Sequence, residues 1–201
     1  MTAFKLSMVP GELFWSNQPT AWHVGSDDHL TIKAGDHSDW FIDPAGSSVQ
    51  DNAPVALFVP PDANFMLSAK IGVDFQSTYD AGVLHIHASD DRWAKFCFEY
   101  SPQHQPMVVS VVTRGVSDDC NSVLIDGREV YLRLTVTPQT IAFHYSCDGS
   151  YWHFVRYFSL GKLENLRVGF SSQSPTGEGC TAVFSNIRYQ ARTLKDNRNG
   201  E

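Results

Sequence analysis

The chain is sparing with cysteine and with charge, and each shortage closes off a class of function. Its 201 residues include four cysteines, Cys97, Cys120, Cys147 and Cys180, none of them in a Cys-x-x-Cys pair. Zinc-ribbon and thioredoxin-like chemistry therefore have no footing. Free thiols packed in or near strands are expected instead, as in a reducing compartment. Charged residues make up 18 % of the chain, and the formal net charge is −7 with no basic cluster. An average soluble domain is roughly 25 % charged. A protein that reads a phosphate backbone needs a basic stripe, so nucleic acid is not an expected partner. No apolar run approaches the ~20 residues that cross a bilayer, so no membrane partner is expected either. Residues 1–15 hold one lysine and no long apolar block, unlike a secretory signal, which makes the cytoplasm the expected location. A Gly-x-Ser-x-Gly elbow is missing, and Gly177-Glu178-Gly179 is not followed by the helix that would make an anion site.

Apolar material is plentiful, at 42 % hydrophobic and 12 % aromatic residues. That is enough for a core and excludes disorder over most of the length. Helical periodicity is nearly absent, whereas a period of two recurs. Over 65–75, Phe65, Leu67, Ala69, Ile71, Val73 and Phe75 alternate with Met66, Ser68, Lys70, Gly72 and Asp74. This is a strand with one buried face, and a one-residue slip would expose all six apolar groups. Further strands are expected at 83–88, 93–100, 107–113, 130–137, 141–147, 166–172 and 181–189. Asp126-Gly127 and Asp148-Gly149 are hairpin candidates, the second with Trp152 packing nearby. Pro60-Pro61, Thr137-Pro138 and Ser174-Pro175 are breakers. Many strands at such spacing argue for an all-β sandwich or barrel. No repeat of fixed period points to a propeller. No linker divides 1–190, so a single domain is expected there. Residues 45–54 read as a long loop, and the polar tail 191–201 is expected to fray.

An ordered set of short blocks resembles a known family. Early in the chain stand Phe14-Trp15, Trp22 and Ser38-Asp39-Trp40. The middle holds Tyr79-Asp80-Ala81-Gly82-Val83-Leu84, Trp93-Ala94-Lys95, Glu99-Tyr100, Ser110-Val111-Val112-Thr113 and Ser117-Asp118. Later come Tyr145-Ser146-Cys147-Asp148-Gly149 with Trp152, Ser174-Pro175 with Gly177, and Val183-Phe184. Together, over about residues 10–190, they resemble the regulation-of-enolase family, a domain-of-unknown-function group. The resemblance implies a two-sheet antiparallel jelly-roll sandwich of the concanavalin A-like lectin/glucanase type, with one concave face. It also places the Ser-Asp-Trp stretch near the rim of that face. Family members often carry an aromatic after the Ser-Asp of the Ser117 region, where this chain has Asp119-Cys120.

Strand parity assigns twelve polar or large residues to the non-core side: His85, His87, Trp93, Lys95, Glu99, Ser110, Arg114, Arg133, His144, Arg167, Ser171 and Gln173. On neighbouring strands of a concave sheet such side chains converge. Glu99 with Lys95 or an arginine can hydrogen-bond sugar hydroxyls, and Trp93 can stack on a pyranose face. A rim Trp40 beside Asp39 would combine both contacts. The expected ligand site is thus Asp39, Trp40, His85, Trp93, Lys95, Glu99 and Arg114. Its expected occupant is a carbohydrate or sugar-like ligand, bound without catalysis and without a metal or other cofactor. A module that docks a metabolic enzyme, or a glycosidase or lyase with an unrecognised carboxylate pair, are the alternatives. Residues two apart on a strand face one way, but neither Glu-x-Asp-x-x-Glu nor Glu-x-Asp-x-Glu occurs. Glu99 is flanked at 97 and 101 by Cys97 and Ser101. His85-x-His87 has the spacing to begin a metal site, with Glu99 as a third ligand, and equally that of an ordinary polar face. A monomer or a homodimer through sandwich edges fits this composition.

Overall fold

The computed structural model describes residues 3–201. Every strand pairing is antiparallel, and the strands form two large sheets and one small hairpin. In chain order the first half contributes β1 (Ala3–Lys5), β2 (Glu12–Trp15), β3 (Ala21–Val24), β4 (Leu30–Lys33), β5 (Trp40–Ile42), β6 (Val49–Asp51), β7 (Val55–Phe58), β8 (Phe65–Val73) and β9 (Ala81–Ser89). The second half contributes β10 (Arg92–Tyr100), β11 (Pro106–Arg114), β12 (Val116–Leu124), β13 (Glu129–Val136), β14 (Ile141–Ser146), β15 (His153–Phe158), β16 (Arg167–Gln173) and β17 (Thr181–Gln190). The front sheet runs β1-β2-β7-β16-β9-β10-β11-β12, and the back sheet runs β15-β14-β13-β8-β17-β4-β3. Among the described residues no helix is long and apolar enough to cross a membrane.

The period-two strands bury their apolar faces against each other across the two sheets. One continuous core takes Leu67, Ala69 and Ile71 from β8, Leu84 and Ile86 from β9, Phe96 and Phe98 from β10, and Leu132 and Leu134 from β13. Aromatic rings clamp the sheets together. Phe96 stacks on Phe143 at 4.5 Å between centroids, and Phe170 meets Phe184 edge-on at 5.2 Å. Such pairs contribute about 0.5–1.5 kcal/mol beyond the area they bury. Trp15 and Trp22 lie near the sandwich edge, on β2 and β3, with rings 5.7 Å apart.

Three local expectations give way, and one holds. Residues 45–54 are not an open loop, because Val49–Asp51 is β6 and pairs with β5 as a separate hairpin. Asp126-Gly127 does not close a hairpin either. The strands that flank it, β12 and β13, belong to different sheets, so the turn carries the chain across the sandwich. Asp148-Gly149 does sit between paired strands, β14 and β15. Its turn is held by side chains, since Asp148 Oδ1 accepts from the Ser150 and Tyr151 amides and the Ser146 hydroxyl. Trp152 there lies under the Arg133 guanidinium, 4.3 Å from its ring centroid. The tail 191–201 docks on the outer face of the back sheet. Arg133 donates to the Gly200 carbonyl at 3.0 Å, and His144 Nε2 lies 2.9 Å from the Asn197 carbonyl oxygen. Two buried polar side chains on that face need partners, and the tail backbone supplies them.

Candidate functional site

The front sheet turns one face to the core and the other outward, and register decides which residue goes where. His85 is opposite Lys95 and His87 opposite Trp93 on the β9–β10 pair. On the other flank of β9, Arg167 is opposite His87 and Gln173 opposite Ala81. The outer face therefore carries His85, His87, Trp93, Lys95, Glu99, Arg167, Ser171 and Gln173. Ser110 and Arg114 are a correction. Ser110 is opposite Phe96 and Arg114 opposite Arg92, which puts both on the core-side parity of β11. Valines occupy both faces of 107–113, so alternation could not tell the sides apart there. Ser110 meets Arg156 from the back sheet at 3.3 Å. Arg114 is exposed at the strand end and lines a separate depression with Asp91, Arg92, Gly161 and neighbours. Arg133 and His144 lie on the back sheet under the tail.

The β5–β6 hairpin folds over part of the outer face. Its approach is fixed by Ser38, whose backbone bridges Ser174 with bonds of 3.1 Å each way. The hairpin is pinned at its far end by Ser117, whose hydroxyl accepts from the Ile42 amide at 2.9 Å. Beneath it lies an apolar cluster of Trp40, Ala53, Val55, Leu57, Trp93 and Val111. Trp40 donates its indole N–H to the Ala53 carbonyl at 2.9 Å. Its ring meets His85, His87 and Trp93 edge-on at 5.3, 5.8 and 5.8 Å. Trp93 in turn stacks on His85. Trp40, Trp93 and His85 are thus packed against one another, and none lines the cavity described below. Burial, with repulsion from neighbouring cations, holds the His85 imidazole well below its usual range and lowers His87 as well. Among the described residues neither ring has a hydrogen-bond partner on either nitrogen. Glu99 lies four residues along β10 from the row of His85, about 13 Å at strand rise. No three metal-binding side chains are grouped among the described residues.

Beside this block a cavity of about 340 Å³ opens over β10 and β11. Asp39, Lys95 and Glu99 line it, with Gln173, Asp119, Gln50, Phe41 and Tyr79. That size lies at the low end of small-molecule sites. Lys95 is 2 % exposed and donates to Asp39 Oδ1 at 2.6 Å and to Gln173 Oε1 at 2.9 Å. Burial is the largest influence and works against its charge, but the Asp39 carboxylate, with smaller help from Cys97 and Glu99, outweighs it and holds the ammonium above the ordinary lysine range. Asp39 Oδ1 also accepts from the Trp40 amide at 2.7 Å. Gln173 donates to the Tyr79 carbonyl at 3.2 Å. Tyr79 holds a left-handed backbone, φ 69°, uncommon for a residue with a side chain.

Glu99 is 7 % exposed, and its carboxyl makes no hydrogen bond to any described residue. Burial pushes its pKa up to about 8. The Lys95 ammonium pulls the other way, and the Asp39 and Asp119 carboxylates add to the rise. The ammonium that could hold Glu99 ionised is already committed to Asp39. The carboxyl is therefore mostly protonated at neutral pH and can donate as well as accept.

Of the expected site residues, the cavity brings together Asp39, Lys95 and Glu99. Trp40, His85 and Trp93 form its buried neighbourhood, and Arg114 lies elsewhere. Sequence reasoning missed Phe41, Gln50, Tyr79 and Asp119. Gln50 sat in a stretch read as loop, and nothing local marks the left-handed turn at Tyr79. Asp119 had a signal, since it is the position that departs from the family pattern. A larger depression of about 780 Å³ lies between the loops around Pro60-Pro61, Pro138 and residues 162–167. Lys162 and Glu164 there are exposed, and no buried polar groups converge in it.

A family model described as "Protein of unknown function (DUF1349)" matches residues 15–192. The chain belongs to that family. The DUF1349 match bears out the resemblance carried by the short blocks. The chain is also similar to "Regulation of enolase protein 1" of Saccharomyces cerevisiae (strain ATCC 204508 / S288c), at 24 % identity over 172 residues and 85 % of each chain. Among solved structures it is similar to a functionally unknown protein from Saccharomyces cerevisiae. The TM-score is 0.81 and identity 22 %, over 95 % of this chain and all of that one. The GH43 protein BlXynB from Bacillus licheniformis matches 92 % of this chain with 38 % of its own, at TM-score 0.71 and 17 % identity. The alginate lyase from Klebsiella pneumoniae matches 84 % of this chain and 83 % of its own, at TM-score 0.56 and 12 % identity. These structural likenesses concern the fold.

Proposed function

We propose that this DUF1349 chain binds a carbohydrate or sugar-like ligand in the cavity over β10 and β11, without catalysis. The observation that carries the reading is Glu99, a buried carboxyl with no protein partner that faces the cavity. The carboxyl opens into the cavity, so a ligand hydroxyl can pair with it without displacing a protein partner. Asp39, Lys95 and Gln173 form a fixed polar wall, and Phe41 and Tyr79 supply apolar surface for a sugar ring. Several proteins that share the fold are named for carbohydrate chemistry, a xylosidase and an alginate lyase among them, which favours a ligand of that class.

A glycan array with wild type beside Glu99→Ala tests the reading. Selective signal from wild type is expected, reduced at least about tenfold in the variant, with little change in Tm. A blank wild-type array overturns it. Two alternatives then remain open to direct assay. The name of the yeast relative suggests a module that docks a metabolic enzyme, which a purified-enzyme binding assay would detect. The protonated Glu99 near the Asp39 carboxylate is what an acid–base pair needs, and release of reducing ends from oligosaccharides would support a hydrolase.

A further inference from the structure

The cavity has a charge balance that narrows its ligand. Its one cation among the described residues, Lys95, is enclosed by Asp39 Oδ1 and Gln173 Oε1. The groups left facing the space without a partner of their own sign-complement are Glu99, from β10, and Asp119, from β12. Asp119 is opposite Val111 in register, which points it to the same outer face as Glu99. An anionic ligand such as a uronate would meet the Asp119 carboxylate and no free cation. A neutral sugar would satisfy the hydroxyl-bonding capacity of Glu99 and leave Asp119 without a counter-charge. Phe41 and Tyr79 line the same space, and aromatic rings attract cations through their quadrupole.

We propose that the cavity takes sugars bearing a free amino group, with the ammonium received by Glu99 and Asp119 beside the rings of Phe41 and Tyr79. This rests on the carbohydrate reading above and adds the charge of the ligand to it. The groups that face Glu99 are Lys95 and Cys97 from its own strand, Asp39 ahead of β5, Tyr79 ahead of β9, and Asp119 from β12. Only Lys95 among them is cationic. An arriving ammonium supplies the positive charge that Glu99 lacks, so Glu99 gives up its proton to solvent as the ligand binds. No covalent step is involved.

Isothermal titration calorimetry at about pH 6, where the sugar amines are mostly protonated and Glu99 still holds its proton, in two buffers of different ionisation enthalpy, tests this with three β-1,4-linked oligosaccharides of equal length. One is built of glucosamine with free amines, one of N-acetylglucosamine and one of glucose. The free-amine probe is expected to bind wild type at least about tenfold tighter than the other two, with net proton release. Glu99→Gln, which cannot ionise, is expected to reduce that preference to within about twofold and to abolish the proton release. Asp119→Asn, at an exposed position, is expected to weaken the preference without altering Tm. Equal or tighter binding of the N-acetylated or glucose probe overturns the amine assignment and leaves the carbohydrate reading standing. An amine preference that survives in Glu99→Gln also overturns it. Failure of all three probes to bind wild type overturns the amine assignment, while the carbohydrate reading falls only with a blank glycan array.

Discussion

Lys95 shows how much of this site depends on one residue. Its ammonium sits between Asp39 Oδ1 and Gln173 Oε1, with all three groups buried. Removing one partner of a buried ion pair leaves the other as an uncompensated charge, at about 3–5 kcal/mol. Lys95→Met is therefore expected to lower Tm by roughly 10 °C, at about 2–4 °C per kcal/mol for a chain of this size. Lys95→Met combined with Asp39→Asn removes both charges and should recover most of that loss. Thermal melts of the single and double variants read the coupling directly. Recovery of less than a third would mean that Lys95 acts through its packing rather than its charge.

At the scale of elements, the backbones of the front sheet come close together where β7 meets β16. Gly169 is opposite Leu57 there. A Cβ on Gly169 would lie 1.8 Å from the Ala56 carbonyl oxygen, so backbone would have to yield. Gly72, on β8, is different, because a Cβ there has ordinary contacts of 3.5 Å or more. Overpacking costs typically about 1–3 kcal/mol, and a clash with backbone belongs at or beyond the top of that range. Gly169→Ala is expected to loosen β1, β2 and β7 from the rest of the sheet. Hydrogen exchange should quicken in those strands first, while Gly72→Ala leaves their protection nearly as in wild type. The glycine at 169 was visible in the alternation of 166–172. Its necessity was not, because the close approach comes from a strand more than a hundred residues earlier.

For the whole molecule, buried titratable groups of opposite kind set the pH range of stability. Burial first, and neighbouring cations second, depress His85, His87 and His144, the last to about 4. Each is neutral in the folded chain and takes up a proton on unfolding below about pH 6.5, so stability falls as pH drops from there. Glu99 has the opposite sign. It keeps its proton when folded up to about pH 8 but loses it when unfolded above about 4.5, so stability falls as pH rises between those values. Burial pushes the Cys97 and Cys180 thiols up, which extends the alkaline loss. On the acid side three histidines outnumber one glutamate. Tm measured against pH is therefore expected to peak near about pH 7 and fall on both sides. In Glu99→Gln the fall between about pH 7 and 8 should flatten. A profile that is unchanged by that substitution would place the Glu99 carboxyl in a solvated setting.

The strands from 65 onward were legible because one buried face writes a period of two into each, and Phe65, Leu67, Ala69 and Ile71 leave only one register that hides them. Parity also placed Lys95 and Glu99 on the outward face. It failed at Ser110 and Arg114, where valine on both sides of β11 erases the contrast between core and surface. It failed again at 45–54, where three-residue strands are too short to show a period. The tertiary structure alone decided that Asp39 reaches Lys95, 56 residues away, and that Gln173 meets it from 78 residues the other way. It likewise placed Trp40 as a cover and left Glu99 without a partner. A strand pattern says which side a residue faces. Which side chains then share that side depends on strand order and register, and those are settled by the packing of the whole sandwich.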